Sequence, residues 1–570
     1  MCGIAGILGK NPNNSKLLQK MLEAQKHRGP DAMNVWEKDS VFLGHNRLSI
    51  IDLSTAANQP MESQCGNYCI VFNGEIYNYL ELKDILKSDY YFTTTSDTEV
   101  LLAAYSKWKT KMVDKLNGMF SFAIWDKNDN KLFAARDRFG VKPFYFTFYE
   151  EQFFFTSEIK TLFQASIPKN KNLKVWANYY KYGTYGLPNE TFYKAISQLK
   201  AGHYIEIRVN QPMNSDAVKQ VKWYHFEQNI FEKPSLHKDD LMKTYSELLK
   251  DSVSLRFRAD VPLGMNVSGG LDSSTLIRFV AQNLPSDETI ESFTFYSNDP
   301  NYDELPWVYE LIKTTPYPLN KVLLDYNDLP NLIEKVGYFQ DEPYGGFPTI
   351  AYSLLFNEAQ KKGIKVLLDG QGMDEAWAGY DYYQRENDAV IQGLNNSSPC
   401  QPNAITEDFL RHAEKENYET PFDNRLQNLQ YRDLFYTKIP RALRFNDRIS
   451  MMSSTELREP FLDYRLVELA FAQPKKLKFN EGQSKWLLRA LVKESLGKQI
   501  ALAPKRAVQT PQREWISNEL KDYFTEKIIL FSNLDFVNKK EVLRLWDTYC
   551  RGDQANSFYI WQWINTLMIK

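Results

Sequence analysis

The stretch from residue 261 to 282, VPLGMNVSGGLDSSTLIRFVAQ, constrains the fold more than any other part of the chain. Residues 262–267 are mostly apolar and predict a short buried strand, and the 3.6-residue period of residues 274–282 predicts a helix. Between them lie the glycines and hydroxyl side chains of residues 268–274. A strand that leads through such a loop into a helix N-terminus presents backbone N–H groups and the positive end of the helix dipole to a phosphate. The stretch therefore predicts a phosphate site in an α/β domain.

A second apolar run, KVLL at residues 365–368, leads into DGQGMDEAWAG. Asp272 in the first loop would repel phosphates unless a cation lies between them, and Mg²⁺ held by few carboxylates and by phosphate oxygens is the natural mediator. Asp374 in the second loop supplies a second carboxylate. Because the carboxyl ends of parallel strands meet at one edge of a sheet, we expect both loops to border one ligand crevice.

The N-terminus reads MCGIAGILG, with a cysteine directly behind the first methionine. Removal of Met1 would give Cys2 a free α-amine, which is a base beside a nucleophile. Taken alone, the run favours a buried first strand with an inert thiol. A secretory or lipoprotein segment is not indicated, because it would need basic residues and a longer apolar stretch ahead of the cysteine.

The following segment alternates short apolar runs with polar residues, glycine and proline. HRGPD (27–31) predicts a turn, GHNRLSIID (44–52) a strand, and the Asn-Gly pair of VFNGEIYN (71–78) by default a hairpin turn. SDTE (96–99) opens a predicted helix that ends near residue 109, and GMFSFAIWD (118–126) predicts a strand. Strands therefore dominate this part of the chain.

These motifs, with ARDRFGVKPFY (135–145), resemble the glutaminase domain of class II glutamine amidotransferases, and in detail that of glutamine-hydrolysing asparagine synthetases. SGGLDSS lacks the GKS or GKT ending of a Walker A loop and resembles the pyrophosphate loop of N-type ATP pyrophosphatases. The resemblance covers nearly the whole chain and implies two domains. The first is an N-terminal α+β sandwich of the N-terminal-nucleophile hydrolase type, with antiparallel sheets flanked by helices; the second is a C-terminal α/β parallel-sheet ATP-pyrophosphatase domain with many helices. We expect the glutaminase domain at residues 1–210, a linker at 211–237 and the synthetase domain at 238–570.

For the glutaminase domain, the resemblance implies that Cys2 attacks the side-chain amide of glutamine, releases ammonia and forms a thioester. The pKa of a free thiol is about 8.5, and an N-terminal amine with a pKa near 8 can take its proton. His27 is therefore expected to be a scaffold residue. The side chain of Asn73 and the backbone N–H of Gly74 would stabilise the oxyanion. Glutamine would be bound through its α-carboxylate by Arg47 and through its α-amine by Glu75 and Asp97, with Leu48, Ser49, Ile50, Ile51, Asn73 and Gly74 completing the pocket.

For the synthetase domain, the resemblance implies an ATP site and an acceptor site. The ATP-binding residues would be Val267, Ser268, Gly269, Gly270, Leu271, Asp272, Ser273, Ser274, Phe295, Asp369 and Gly370. Asp272 and Asp374 would bind Mg²⁺, and Lys505 would neutralise charge that builds on the adenylate and pyrophosphate. The acceptor-binding residues would be Gln371, Glu456 and Arg458, although a structural ion-pair network remains open for the charges of residues 447–458.

The implied reaction makes asparagine. The carboxylate of aspartate attacks the α-phosphorus of ATP, pyrophosphate leaves, and ammonia that arrives through an internal tunnel displaces AMP. The second loop departs from the Ser-Gly-Glu-Gly of simple asparagine synthetases, since Asp369, Gly370, Gln371 and Gly372 stand there. A different acceptor, such as a sugar acid or a natural-product precursor, therefore remains open. A catalytically silent relative is disfavoured, because such relatives commonly lose the nucleophile or the loop aspartate.

The charge balance excludes several partners. The chain has 69 basic and 71 acidic residues and no long block of one sign, so neither nucleic acid nor a membrane is expected. Its five cysteines are scattered, which is typical of reduced thiols and predicts a cytoplasmic location. The expected partners are small molecules, namely glutamine, ATP and the acceptor; a homodimer remains open.

Overall fold

The computed structural model describes residues 2–209, 213–214, 218–283, 290–313, 315–385, 398–480, 482–503, 509–554 and 556–569. The first part of the chain is built mainly from antiparallel strands. Its strands are β1 (Gly3–Leu8), β2 (Ala32–Lys38), β3 (Val41–Arg47), β4 (Met61–Glu62), β5 (Tyr68–Ile76), β6 (Gly118–Asp126), β7 (Lys131–Arg136), β8 (Tyr145–Tyr149), β9 (Gln152–Thr156), β10 (Ser197–Gln198), β11 (His203–Arg208) and β12 (Val221–Lys222). Its helices are α1 (Asn14–Ala24), α2 (Tyr79–Leu86), α3 (Asp97–Trp108), α4 (Ile159–Gln164), α5 (Leu173–Tyr182) and α6 (Phe226–Glu232).

These strands form two stacked antiparallel sheets, in the orders β10-β8-β9-β1-β3-β2 and β12-β11-β7-β6-β5-β4. Side chains alternate between the faces of each strand. Ile4 of β1 and Val71 of β5 therefore meet in the core between the sheets, whereas Ala5 faces α1 and α4, and Phe72 faces α3. The predicted α+β sandwich with flanking helices is confirmed.

Two local predictions in this domain are wrong. The strand predicted over residues 44–52 ends at Arg47, where the chain turns into a loop. The Asn-Gly pair is not a hairpin turn, because Asn73 and Gly74 lie inside the continuous strand β5 and pair with Ser121 and Phe120. A Cβ on Gly74 would lie 2.0 Å from the backbone oxygen of Met119, and its φ is +152°, so glycine allows this close approach of the strands.

The second part of the chain contains a parallel sheet and many helices. Its strands are β13 (Leu263–Asn266), β14 (Glu291–Tyr296), β15 (Leu319–Leu323), β16 (Val366–Leu368), β17 (Glu456–Arg458), β18 (Phe479–Asn480) and β19 (Gln483–Ser484). Its helices are α7 (Lys238–Leu255), α8 (Leu271–Asn283), α9 (Leu305–Ile312), α10 (Leu329–Gln340), α11 (Phe347–Lys361), α12 (Met373–Ala376), α13 (Glu407–Leu410), α14 (Arg425–Phe435), α15 (Lys438–Met452), α16 (Tyr464–Phe471), α17 (Lys475–Lys478), α18 (Trp486–Ala501), α19 (Gln512–Ser517), α20 (Lys521–Ser532), α21 (Lys539–Cys550) and α22 (Phe558–Met568).

Five of these strands form the sheet β15-β14-β13-β16-β17, in which all neighbours are parallel. Helices α7, α8 and α18 cover one face, and α10, α11 and α15 cover the other. The predicted parallel-sheet α/β domain is confirmed. Because β13 and β16 are neighbours, the loops that follow them meet at one edge of the sheet, as the sequence predicts.

The two domains share a continuous apolar core, in which the ring of Phe139 of the first domain packs against that of Phe435 of the second, with centroids 5.9 Å apart. Among the described residues, every helix is too short or too polar to cross a bilayer. The domain boundaries near residues 210 and 238 stay predictions, although α7 begins at Lys238.

Candidate active sites

Cys2 lies at the start of β1 and contacts Asn73 of β5 across the sandwich. Its backbone N–H donates to Oδ1 of Asn73 at 3.1 Å, and its Sγ lies 3.9 Å from the carbonyl oxygen of Leu48. Burial raises the pKa of the Cys2 thiol, so that an unaided thiol would be almost fully protonated at neutral pH. The structure thus brings together two predicted residues that are 71 positions apart in the chain.

The other end of the Asn73 amide is uncommitted. Its Nδ2 is buried and has no hydrogen-bond partner among the described residues. A buried amide N–H₂ without an acceptor costs about 1–3 kcal/mol. Because this donor lies next to Cys2 without an acceptor, it would form a favourable hydrogen bond with an anionic oxygen at that position.

Two buried carboxyl groups lie near this thiol. Glu75 follows Gly74 in β5, and its Oε2 has no hydrogen-bond partner within the described ranges. Burial, with Glu456 and Asp97 nearby, raises the pKa of Glu75 well above its ordinary value. Burial also raises the pKa of Asp97, at the first turn of α3, to about 6, against a hydrogen bond from the backbone N–H of Ile76. A cationic group placed between these two carboxyl groups would stabilise their ionised forms and lower both pKa values.

Arg47 ends β3 and organises the loop behind it. Its guanidinium donates to Oδ1 of Asn58 at 2.8 Å and to the carbonyl oxygens of Ser54 and Asp52. The loop carries the predicted glutamine-binding residues: Leu48, Ile50 and Ile51 are buried, and the backbone N–H of Ser49 donates to Asp31. Part of the hydrogen-bonding capacity of Arg47 is therefore used by the loop, and its charge still acts on the Cys2 thiol, whose pKa it lowers against the effect of burial.

In the second domain, the predicted metal ligands converge on a lysine that sequence reasoning missed. Nζ of Lys485 lies 2.5 and 2.7 Å from the two carboxylate oxygens of Asp272 and 2.6 Å from Oδ1 of Asp374. Burial lowers the pKa of Lys485, but the two aspartates outweigh burial, and the pKa lies above its ordinary value. The available signal was the lysine in SKWLLR (484–489), directly before α18. The predicted Lys505 lies outside the described residues.

The loop after β13 is closed by one of its own side chains and by a tryptophan of α9. The backbone N–H of Ser268 donates to Oγ of Ser273 at 2.9 Å, and Trp307 packs against Gly269 so closely that a Cβ there would lie 2.5 Å from it. Helix α8 begins at Leu271, so the loop is shorter than predicted. Of the other predicted ATP-binding residues, Val267 directly follows β13 and Gly270 lies in the loop. Ser274 lies in the first turn of α8.

Two connected cavities lie at this edge. The smaller, of about 30 Å³, is lined by Ser268, Ser273, Phe295 and Asp369. Burial raises the pKa of Asp369 to about 6. The larger measures about 640 Å³ and shares a wall with the smaller, because Tyr302, Tyr352 and Gln509 line both. Gln371, Lys438, Arg441 and Arg513 line the larger cavity.

Glu456 and Arg458 are not among the residues that line these cavities, and their role at the acceptor site stays a prediction. Both are fully buried in β17, where Nε of Arg458 lies 2.6 Å from Oε1 of Glu456. Arg458 also donates to the carbonyl oxygens of Arg256 and Arg258 and approaches Glu75 to 3.7 Å. Their side chains face the first domain, where they form the structural ion-pair network that the sequence left open.

A second buried ion network joins the domains. Arg28 donates to Glu158 at 2.8 Å and to both carboxylate oxygens of Asp447 at 2.9 and 3.0 Å. Its Nε donates to the carbonyl oxygen of Cys2, which ties this network to the thiol. His27 contacts Glu158 at 3.0 Å rather than the thiol, in agreement with a scaffold role.

Comparisons with known proteins agree with this division. Residues 1–220 match the family model described as a glutamine amidotransferase domain, and residues 244–570 match the model described as asparagine synthase. Asparagine synthetase [glutamine-hydrolyzing] 1 of Bacillus subtilis (strain 168) is 29% identical over 98% of this chain and 95% of its own length. The putative asparagine synthetase [glutamine-hydrolyzing] 2 of Methanocaldococcus jannaschii is 35% identical over 67% of this chain and 76% of its own. The amidase chyE of Penicillium rubens is 26% identical over 94% of this chain and 93% of its own.

Proposed function

The chain belongs to the asparagine synthase family, and we propose that it is an ATP-dependent, glutamine-hydrolysing asparagine synthetase. The observation that carries the proposal is the contact of Cys2 with Asn73, whose Nδ2 is left without a partner in the described structure. This contact places a nucleophile next to an oxyanion donor. The same chain carries a second site, whose loop after β13 is of the phosphate-binding type. Cys2, Asn73, Gly74, Asp272, Asp374 and Lys505 keep the roles that the sequence analysis assigns to them.

In the glutaminase half, the free α-amine of Cys2 accepts the thiol proton, and the thiolate attacks the side-chain carbonyl of glutamine. Because burial raises the pKa of this thiol, the reaction depends on that base. Nδ2 of Asn73 and the N–H of Gly74 donate to the oxygen that becomes negative in the tetrahedral intermediate. Ammonia leaves, and water hydrolyses the thioester to glutamate.

Charge determines how glutamine is oriented. Its α-ammonium group binds between Glu75 and Asp97, whose pKa values are raised mainly by burial. Its α-carboxylate binds near Arg47, on the loop of residues 48–51. The substrate thereby neutralises groups that are costly to bury alone.

In the synthetase half, the loop after β13 and the N-terminus of α8 bind the phosphates of ATP. Asp272 and Asp374 fit Mg²⁺, because two carboxylates that converge on one point are the usual protein share of a magnesium–nucleotide site. Within the described ranges there is no group of three or more metal-ligating side chains, so phosphate oxygens would complete the coordination. When bound, the ion offsets the negative charge of the phosphates.

The position of Lys485 also allows its ammonium group to stabilise the negative charge of the phosphates. Its ammonium group lies between the two carboxylates at the phosphate loop, where negative charge builds as pyrophosphate leaves. Lys485 adopts a left-handed backbone conformation, with φ of 54°, directly before α18. We assign to it the stabilisation of the leaving pyrophosphate, next to the role proposed for Lys505.

The acceptor binds in the larger cavity, which adjoins the phosphate loop. The side-chain carboxylate of aspartate attacks the α-phosphorus, and its α-carboxylate is held by the cations that line the cavity. Lys438, Arg441 and Arg513 supply more positive charge than one α-carboxylate needs. This observation favours, as a second candidate, a larger acid with a further anionic group.

The free state of the cysteines supports a cytoplasmic enzyme. Cys2, Cys65, Cys69, Cys400 and Cys550 are all free thiols. Reduced thiols are typical of the cytosol. The small-molecule partners proposed are glutamine, ATP and the acceptor, and a homodimer is an open alternative to the monomer.

Product analysis tests the proposal. The pure protein is incubated with ATP, Mg²⁺, amide-¹⁵N glutamine and aspartate, and the products are identified by mass spectrometry. Labelled asparagine with AMP and pyrophosphate is expected. Labelled ammonia without asparagine or AMP would contradict aspartate as acceptor, and the same assay with larger dicarboxylic and uronic acids would then test the second candidate.

A further inference from the structure

Asp374 projects from a helix of a single turn that is held by a side chain from outside. α12 contains only residues 373–376, and a helix of this length leaves nearly all of its carbonyl oxygens without partners inside the helix. Two of these oxygens, those of Glu375 and Ala376, accept hydrogen bonds from Nε2 of Gln430 at 2.5 and 2.9 Å. The backbone from which Asp374 projects is therefore fixed by one side chain of α14.

Gln430 is fixed in turn by a buried lysine. Gln430 and Lys478 are both fully buried. Nζ of Lys478 donates to Oε1 of Gln430 at 2.8 Å and to the carbonyl oxygen of Phe471 at 2.8 Å. Because an ammonium group can only donate hydrogen bonds, it determines which end of the amide faces it. The lysine thereby turns Nε2 of Gln430 toward the carbonyl oxygens of α12.

The charge of Lys478 is more than packing requires. Among the described residues, its Nζ donates to neutral oxygens only, and burial lowers the pKa of Lys478 to about 7. A buried ammonium group without a carboxylate is costly, and an apolar side chain would fill the same place at a lower cost. A charged donor, however, makes a stronger hydrogen bond to Gln430 than a neutral one. The lysine therefore points to a role in holding the amide.

Helix α14 also holds the chain beyond α12. Asp433, one turn further along α14 than Gln430, is fully buried. Its Oδ2 accepts hydrogen bonds from the hydroxyl groups of Tyr382 and Tyr383 at 2.6 and 2.8 Å. The segment of residues 373–383 is thus anchored to α14 near both of its ends.

Between the two anchors, this segment has little room to move. Gly379 packs so closely against the ATP site that a Cβ there would lie 1.9 Å from Oδ1 of Asp374 and 2.2 Å from Cε of Lys485. The same Oδ1 lies 2.6 Å from Nζ of Lys485. A rotation of α12 would therefore move the Asp374 carboxylate away from the point at which it converges with Asp272 and Lys485.

We propose that Gln430 and Lys478 are positioning residues for Asp374, and through it for the cation of the ATP site. Lys478 fixes the amide of Gln430, and this amide fixes the turn of α12 from which the carboxylate projects. Removing groups that orient a metal-binding side chain typically lowers metal affinity by roughly 10–100-fold. The inference rests on the proposed function, which makes Asp374 a Mg²⁺ ligand.

The first test measures how much Mg²⁺ tightens the binding of a nucleotide. The nucleotide is α,β-methylene-ATP, which cannot be cleaved between its α and β phosphates, and its Kd is measured by calorimetry in EDTA and in Mg²⁺. The ratio of the Kd in EDTA to the Kd in Mg²⁺ should fall by roughly tenfold in Gln430→Leu and by a smaller factor in Lys478→Met, with the Kd in EDTA unchanged. An unchanged ratio would overturn the proposal. An equal loss of affinity in both conditions, which a merely structural role would produce, would also overturn it.

Two further variants separate the hydrogen bonds from the loss of a buried glutamine. Gln430→Glu keeps an acceptor for Lys478 but, when ionised, has no donor for α12, and its ratio should fall as in Gln430→Leu. Gln473→Leu is the matched control, because Gln473 is also buried and donates to a carbonyl oxygen, that of Leu469. Its ratio should equal that of the wild type. Circular dichroism shows which variants are folded, and Lys478→Met carries the test where Gln430→Leu is not.

A second arm depends neither on the cation nor on the acceptor. In crystal structures of the ligand-free wild type and Gln430→Leu, the distance from Nζ of Lys485 to Oδ1 of Asp374 should exceed about 4 Å in the variant alone, so that the ion pair is lost. An ion pair retained in the variant would overturn the proposal. If Mg²⁺ does not tighten nucleotide binding in the wild type but the ion pair is lost in the variant, the proposed magnesium role fails and the positioning role stands.

Discussion

The thiol site and the ATP site are assembled in different ways. The thiol site draws its residues from the first hundred positions, on both sheets of the sandwich and the helix behind them: Cys2 just before β1, Arg47 on β3, Asn73 on β5 and Asp97 on α3. The ATP site draws its residues from loops that are far apart in the chain, so that Asp272 and Lys485 are separated by 213 positions. The first site is fixed by one sandwich, and the second depends on the packing of a whole domain.

The polar groups of the two sites also differ. In the thiol site, Nδ2 of Asn73 and Oε2 of Glu75 are buried and have no hydrogen-bond partners in the described structure. In the ATP site, the carboxylates of Asp272 and Asp374 already share the single ammonium group of Lys485. Glutamine would therefore supply the partners that these atoms lack, whereas ATP and its cation would bind beside the ammonium group of Lys485.

Replacing Cys2 separates the two sites most completely. Cys2→Ala should reduce glutamine-dependent synthesis by roughly 10⁴-fold or more, because no other nucleophile is in place. Synthesis from external ammonium should stay near the wild-type rate. Both are measured as product formed with glutamine or with ammonium chloride, and glutamine-dependent product at the wild-type rate would refute the nucleophile assignment.

Breaking the ion network between the domains tests how far the sites depend on each other. Arg28→Met removes one of two arginines shared by Glu158 and Asp447, which keep Arg448 as a partner, and should lower the free energy of unfolding by about 3 kcal/mol. Arg544→Met is the matched control, since its pair with Glu541 is exposed and is worth at most about 1 kcal/mol. Urea denaturation measures both, and equal losses would mean that the network does not hold the domains.

Lys485→Met tests the internal charge of the ATP site. Pyrophosphate formation should fall by roughly 10³-fold, because the charge on the leaving group loses its fixed counterion. Glutamate release should not change, since the thiol site lies in the other domain. A variant that forms pyrophosphate at the wild-type rate would show that Lys485 only holds Asp272 and Asp374 in place.

Asn73→Ala tests the oxyanion donor. The kcat for glutamine hydrolysis should fall by roughly 10²–10³-fold, with KM for glutamine changed little, because the lost hydrogen bond forms only in the transition state. Asn58→Ala, which removes a partner of Arg47, is the comparison variant and should act mainly on KM. The opposite pattern would assign Asn73 to ground-state binding.

The pH dependence of glutamine use tests the carboxyl pocket and is the smallest effect. The pKa of Asp97 is about 6, so this group is ionised above pH 6 and protonated below it. Ionised Asp97 attracts the α-ammonium group, and kcat/KM for glutamine should fall by up to about tenfold per pH unit below 6. Asp97→Asn should remove this step from the profile and leave a low, flatter one; an unchanged step would place the titration elsewhere.

Sequence reasoning predicted what local patterns determine. The strand of residues 118–126 matches β6, the helix from Asp97 ends within one residue of its predicted end, and the two phosphate-site strands are neighbours. It did not predict Lys485, because a lone lysine before a helix carries no local signal of carboxylates far away in the chain. It assigned Glu456 and Arg458 to the acceptor site but did not predict that β17 turns both toward the first domain, because that direction depends on domain packing.

The central claim is that the two sites act in series inside one molecule. The most direct test is a competition in which the wild type, ATP, Mg²⁺ and aspartate are given amide-¹⁵N glutamine in a large excess of unlabelled ammonium. The account predicts that the asparagine amide is enriched in ¹⁵N far above the label in bulk ammonium, measured by mass spectrometry. Label diluted to the bulk ratio would contradict it, because the two sites would then exchange ammonia only through the solvent.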